Sequence, residues 1–249
     1  MSARVAVHLL AYHTDFGTVL DACRELDELG ADIIFVPDHF FPPYGDTHGK
    51  QFEGLTTLTA IAAVTERAEL GGLVFCNAYR NPELLVDAHR TVDHIAGGRV
   101  ILGVGAGWMQ KDFEEYGYAY GTVGDRLSGL RRDLPRMTAR LARLNPPPLR
   151  EMPFLIGGSG PNVTLRLVAE HADAWNSFGP PSTFRHKNQV LDEWCADVGR
   201  DPAEIERTVA ISPDEIGALD AFVDAGAEHV IVMTVQPYDL DPVRRILDT

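Results

Sequence analysis

Short apolar runs alternate with longer amphipathic stretches along this chain, and that rhythm predicts most of its elements. Val5–Leu10 reads as a first strand. The stretch Phe16–Leu29 reads as a helix, because Val19, Cys23, Leu26 and Leu29 recur at three- and four-residue spacing. Gly30 follows as the left-handed residue that ends such a helix. Asp32–Val36 predicts the second strand, Thr56–Ala68 a helix after a long loop, and Leu70–Phe75 the third strand. The helix Pro82–Ala96 opens on proline and closes on Gly97-Gly98. Val100–Val104 is the fourth strand, with a helical stretch running on to about Leu144.

Asn145-Pro-Pro-Pro148 has the composition of a boundary, yet the same rhythm resumes after it. Strand Phe154–Ile156, helix Asn162–His171, strand Ala174–Asn176 and helix Thr183–Val198 come next. Strand Thr208–Ile211, helix Pro213–Ala225, strand His229–Thr234 and helix Leu240–Leu247 complete the count. Strands alternating with helices favour a parallel sheet, and eight such units favour closure into an α/β (β/α)₈ TIM barrel. The whole chain, 1–249, reads as one such domain, within the usual size of this barrel. A doubly wound open sheet is the alternative. It would want Gly-x-Gly-x-x-Gly after the first strand, where Leu9-Leu-Ala-Tyr-His13 stands instead.

Composition narrows the function. A net charge of −14 argues against nucleic acid as a partner, since such binding needs basic surface. The densest basic cluster, Arg126, Arg131, Arg132, Arg136, Arg140 and Arg143, has the helical spacing of a solvated face. No apolar run has the length of a membrane span. The opening Met1-Ser-Ala-Arg-Val lacks the layout of a secretory leader. Cys23, Cys76 and Cys195 are three and far apart, which speaks against a disulfide framework or a zinc site. The expectation is a cytoplasmic protein with a small-molecule substrate and no metal.

Asp38 and His39 end the second strand, and in a parallel barrel the carboxyl ends of strands form the mouth where chemistry is done. An acid and an imidazole there can hydrogen-bond a heterocycle and move a proton. A loop-capping Asp beside a structural His is the plainer alternative. Gly103-Val-Gly-Ala-Gly-Trp108 ends the fourth strand, and alternate glycines either let a flat ligand approach the backbone or merely make a tight turn. Ile156-Gly-Gly-Ser-Gly-Pro161 follows a strand and opens a helix, the setting in which amide groups hold phosphate, with Ser159 and Thr164 as hydroxyl donors. Arg80 either pairs with an anion or caps a neighbouring segment. His89, His94, His171 and His186 lie on predicted helices and read as packing or surface residues, while His13 stands near the mouth. No cluster has metal-ligand spacing, and no Gly-x-Ser-x-Gly nucleophile elbow is present.

As an ordered set these motifs resemble the bacterial-luciferase-like superfamily, and within it the coenzyme F-420-dependent oxidoreductases. The matching segments begin with Gly30-Ala-Asp32, Asp38-His39-Phe40 and Glu53-Gly-Leu-Thr-Thr-Leu-Thr-Ala60. Thr65-Glu-Arg67 with Leu70-Gly71, Tyr79-Arg-Asn-Pro82 and Asp93-His-Ile-Ala-Gly-Gly-Arg99 follow. Leu102–Trp108, Tyr116-Gly117, Ile156–Gly160 and Ala169-Glu-His-Ala-Asp-Ala-Trp-Asn176 complete them.

The resemblance implies a deazaflavin, or alternatively FMN, at the carboxyl end of the barrel. Asp38 and His39 would lie beside its ring, with His39 as the catalytic proton carrier. Gly157, Gly158, Ser159, Gly160 and Thr164 would hold its phosphate. It also implies a non-proline cis peptide near Leu73-Val74, forming a bulge behind the ring, with Leu73, Val74, Cys76, Gly103, Gly105 and Gly107 completing the ring pocket. Tyr12, His13 and Trp108 would face the substrate.

Sugar-phosphate-oxidising relatives place a carboxylate where Trp108 stands, so a sugar phosphate is disfavoured and reduction of an activated C=C or C=N bond is preferred. The segments between Leu144 and Pro153 and between Ile211 and Pro213 are short for the family, which predicts a more open mouth. A homodimer is expected. A flavin-dependent monooxygenase and a non-catalytic coenzyme-binding protein are the rival functions, and a barrel metallohydrolase is a distant third.

Overall fold

The computed structural model describes residues 4–247, so Met1–Ala3 and Asp248–Thr249 lie outside the description. The strands are β1 (Arg4–Leu9), β2 (Ile33–Val36), β3 (Glu69–Gly72), β4 (Phe75–Cys76), β5 (Val100–Gly105), β6 (Phe154–Gly157), β7 (Ala174–Ser177), β8 (Glu206–Ile211) and β9 (His229–Thr234). All pair in parallel, and the order β3-β2-β1-β9-β8-β7-β6-β5-β4 closes on itself through β3–β5. Segments β3 and β4 both pair with β5 and share one position in the wall, so the barrel has the eight positions that the sequence predicts. Between them the Leu73–Val74 peptide is cis, at the expected place.

The helices are α1 (Phe16–Leu29), α2 (Gly54–Ala62), α3 (Pro82–Ile95), α4 (Gln110–Glu115), α5 (Val123–Leu141), α6 (Thr164–His171), α7 (Pro181–Val198), α8 (Leu219–Asp224) and α9 (Asp241–Leu247). Residues alternate along each strand between two cores. Ala6, Ile33, Phe35, Ile101, Leu155, Ala174 and Ile231 fill the barrel. Val7, Ile34, Leu102, Ile156, Trp175 and Val230 pack outward against the helices.

Three predicted helices need correction. The helix expected over Thr56–Ala68 stops at Ala62, because the Asp27 carboxylate takes the N–H groups of Glu66, Arg67 and Ala68. The stretch expected to run helical to Leu144 is broken into α4 and α5. Gly117 and Gly121 take positive φ, and Thr122 with Asp125 forms a reciprocal cap that starts α5 anew. Pro213–Ala218 is a 3₁₀ turn that only then gives way to α8.

Candidate active site

Most of the residues named for the site lie at the carboxyl ends of β2 to β7. A cavity of about 270 Å³ opens there, and its walls include Asp38, His39, Leu73, Val74, Cys76, Gly105, Gly107, Trp108, Gly157, Gly158 and Thr164.

Asp38 is held by three donors of the protein itself. Arg80 donates to both its oxygens, Nη1 to Oδ2 and Nη2 to Oδ1, each at 2.7 Å, and the Cys76 N–H donates to Oδ2 at 2.9 Å. Arg80 also pairs with Glu53, so the anions it meets are both internal. Burial pushes the Asp38 carboxyl above its ordinary range, and Arg80 and the Cys76 amide pull it back only in part. The clamp ties the end of β2 to β4 just past the cis peptide.

His39 faces the other way. Its Nδ1 lies 2.7 Å from Oδ2 of Asp112, which is wholly buried on α4. The Phe40 and Phe41 N–H groups donate to Oδ1 at 3.1 and 3.2 Å, and the Tyr79 hydroxyl to Oδ2 at 3.2 Å. Asp112 is thus an acceptor on every side, Nδ1 carries the hydrogen, and Nε2 is left for the cavity. The Trp108 ring meets the imidazole edge-on, with centroids 5.3 Å apart.

The glycines of β5 and β6 have a reason the sequence did not suggest. A Cβ at Gly105 would lie 2.6 Å from Cγ2 of Val74, and one at Gly157 would lie 2.9 Å from Cγ1. At Gly103 it would overlap the Gly72 carbonyl. The vacated space is therefore filled by the bulge, and Gly103 makes room for main chain and is not a wall of the cavity. At Gly107, whose φ is 78°, a Cβ would collide with Cys76 Sγ and crowd Phe113. Burial pushes the Cys76 thiol up to about 12, so it serves as neutral wall.

The loop after β6 runs Gly157-Gly-Ser-Gly160 into α6, where Thr164 is the first helical residue. The Gly158 N–H donates to the Asn176 carbonyl at 3.1 Å, and the Gly158 carbonyl accepts from Trp175 Nε1 at 2.7 Å. That amide is therefore spent on β7 and unavailable to an anion. Ser159 and Gly160 stand beside the cavity, between Gly158 and α6, and do not wall it.

Tyr12 and His13 fall elsewhere. Tyr12 is buried and bridges to Gln51, while His13 Nε2 bonds the Tyr44 carbonyl and its ring packs against Gly45 and Gly49. Both organise the long loop after β2, and neither walls the cavity. The sequence reading missed Asp112, Tyr79, Leu127, Leu130, Asn176 and Phe178. For Asp112 one signal existed: Asp-Phe five residues past the last glycine of the run that ends β5, in the first turn of a helix. Among the described residues no group of three or more His, Cys, Asp or Glu is arranged to hold a metal, and no helix is long and apolar enough to cross a membrane.

Comparison with known proteins bears on this geometry. An uncharacterized protein of Mycobacterium tuberculosis is 25% identical over 243 residues, covering 84% of this chain and 85% of its own. An F-420-dependent glucose-6-phosphate dehydrogenase of Kineococcus radiotolerans is 25% identical over 216 residues, 78% of this chain and 63% of that one. An F-420-dependent secondary alcohol dehydrogenase, solved with an F-420–acetone adduct, superposes with a TM-score of 0.87 at 16% identity, over 99% of this chain and 98% of that chain. A monooxygenase from Streptomyces bottropensis superposes at 0.77 and 14% identity, over 98% of this chain and 96% of that chain. At those identities the two structural likenesses speak for the fold. The family model for luciferase-like monooxygenases matches residues 1–213, and with the barrel and its cis bulge in place, the chain belongs to the luciferase-like monooxygenase family.

Proposed function

We propose that this protein is an oxidoreductase that binds coenzyme F-420 and acts on a small organic substrate carrying an activated C=C or C=N bond. The observation that carries the reading is His39, held from behind by buried Asp112 and turned toward a cavity walled by Leu73-Val74, Gly105-Ala-Gly107 and Gly157-Gly158. Those walls carry no long side chain, which suits a flat heterocycle. The names of the relatives support a deazaflavin in that role.

When bound, the coenzyme supplies a two-electron hydride exchange. The chain's own part is position and proton. His39 Nε2 holds or accepts the accompanying proton, and Asp112 fixes the imidazole by its Nδ1–H. Trp108 packs edge-on against the imidazole. The Asp38–Arg80 clamp holds β4 against β2 and so fixes the ring wall, and Asp38, itself part of that wall, keeps an acceptor site on Oδ1 for the coenzyme. The phosphate is assigned to the loop Gly157–Gly160 with Thr164, relying on Ser159, Gly160 and the start of α6 and not on the Gly158 amide.

Parallel titrations of the apo protein with F-420 and FMN test this reading. F-420 should bind more tightly and change its visible spectrum. Affinity for FMN ten-fold higher, about 1.4 kcal/mol, would replace the reading with a flavin-dependent monooxygenase. Binding of F-420 without turnover across a broad substrate panel would favour a coenzyme carrier.

A further inference from the structure

We propose that the body of the substrate is flat, uncharged and apolar, of the conjugated-ketone class, and that Trp108 and Phe178 hold it at the rim of the cavity. The inference rests on the oxidoreductase reading above and names the substrate class of the same site.

Three observations carry it. Trp108 and Phe178 both wall the cavity, yet 55% and 50% of their surface remains exposed. Large aromatic surface left in water beside a cavity is recovered only when something apolar covers it. The two side chains follow β5 and β7, the strands on either side of β6, and so flank the Gly157–Gly160 loop.

Their backbones are fixed from beneath. Trp108 follows Gly107, which packs on Cys76 and Phe113, and its carbonyl accepts the Tyr120 hydroxyl at 3.0 Å. Phe178 lies between the end of β7 and the Gly179-Pro180 entry to α7, where Gly179 takes a φ of 104°. A rigid rim selects shape.

Charge selects against the obvious competitor. No Lys or Arg is among the cavity walls. The neighbouring cations are committed: Arg80 to Asp38 and Glu53, Lys111 to Thr47, and Arg126 to the carbonyls of Gly107, Tyr120 and Gly121. A phosphorylated sugar would lose hydration here and meet no cationic side chain in the cavity wall in return. Beside Trp108, His39 Nε2 offers a polar contact next to the aromatic rim, which matches a molecule with an apolar body and a polar oxygen at one end.

The test is direct binding, read apart from turnover. Wild type, Trp108→Ala and Phe178→Ala are titrated calorimetrically with benzylideneacetone and with glucose 6-phosphate, and F-420 affinity is measured on each protein. Both positions are half exposed, so the variants should fold. The ketone should bind wild type saturably and lose five-fold or more in affinity in each variant, with F-420 affinity within two-fold of wild type. Glucose 6-phosphate should show no saturable binding. Tighter binding of the sugar phosphate than of the ketone, or ketone affinity unchanged in both variants, overturns the proposal. Failure of wild type to bind F-420 instead removes the oxidoreductase reading, while the ketone arm still reports on the rim.

Discussion

His39 and Asp112 stand 73 positions apart in sequence and 2.7 Å apart in space. The carboxylate that orients the imidazole comes from α4, the element that follows the glycine-rich end of β5.

Asp112→Asn should therefore impair His39 without emptying the cavity. The carboxamide can still accept the Phe40 and Phe41 amides, but it no longer offers a carboxylate to Nδ1–H. Turnover should fall roughly 10²-fold with F-420 affinity little changed, and Asp112→Glu should recover part of the loss. His39→Ala should cost roughly 10²–10⁴-fold in single-turnover rate. Unchanged pH–rate profiles in Asp112→Asn would reduce that residue to a loop anchor.

Gly105→Ala should push its new methyl against Val74 and cost about 1–3 kcal/mol as overpacking, with coenzyme affinity falling in step. Val74→Ala removes the methyls that would collide, so the double variant should recover both stability and binding. Urea unfolding and F-420 titration on the four proteins give the coupling. Additive effects would mean that the glycine is not there to admit Val74.

Arg80→Leu strips the partner from a carboxylate whose side chain has no exposed surface, and should cost about 3 kcal/mol or more. Asp38→Asn combined with Arg80→Leu should cost less than Arg80→Leu alone, since no unpaired charge remains. Denaturant midpoints of the single and double variants decide this.

Stability should fall on mild acidification. Burial holds His8 down to about 3 and His89 to about 4, while an unfolded histidine takes its proton near 6.5. Below that value the unfolded state binds more protons than the folded one, so stability rises with pH from about 3 for His8 and about 4 for His89 up to about 6.5, and is fully present above it. Each residue should cost about 2 kcal/mol at pH 5 relative to neutrality. His8→Leu should flatten part of the slope of unfolding free energy against pH.

The barrel was legible because its signals are local. Val5–Leu10 and His229–Thr234 carry their strand pattern within six residues each, and Phe16–Leu29 with Gly30 is bounded as predicted. What misled was competition for backbone groups from far away: Asp27 ends α2 early by claiming amides 39 to 41 positions on. Asp38 and His39 were visible as a strand end, but their partners Arg80 and Asp112 arrive through tertiary contact and leave no spacing to read. Gly103 and Gly105 were recognised as vacated space, whereas what fills that space, Gly72 and Val74, belongs to another strand.

That filling has a consequence for how the protein can change. The floor under the ring is built from one strand's bulge locked into its neighbours' missing side chains, so a side chain added at Gly103, Gly105 or Gly157 meets main chain or the methyls of Val74. The rim obeys no such interlock, since Trp108 and Phe178 each project from a fixed backbone into solvent. Mutation can therefore rewrite what the cavity accepts at its edge while the seat below stays the same, and drift in substrate is decoupled from drift in coenzyme.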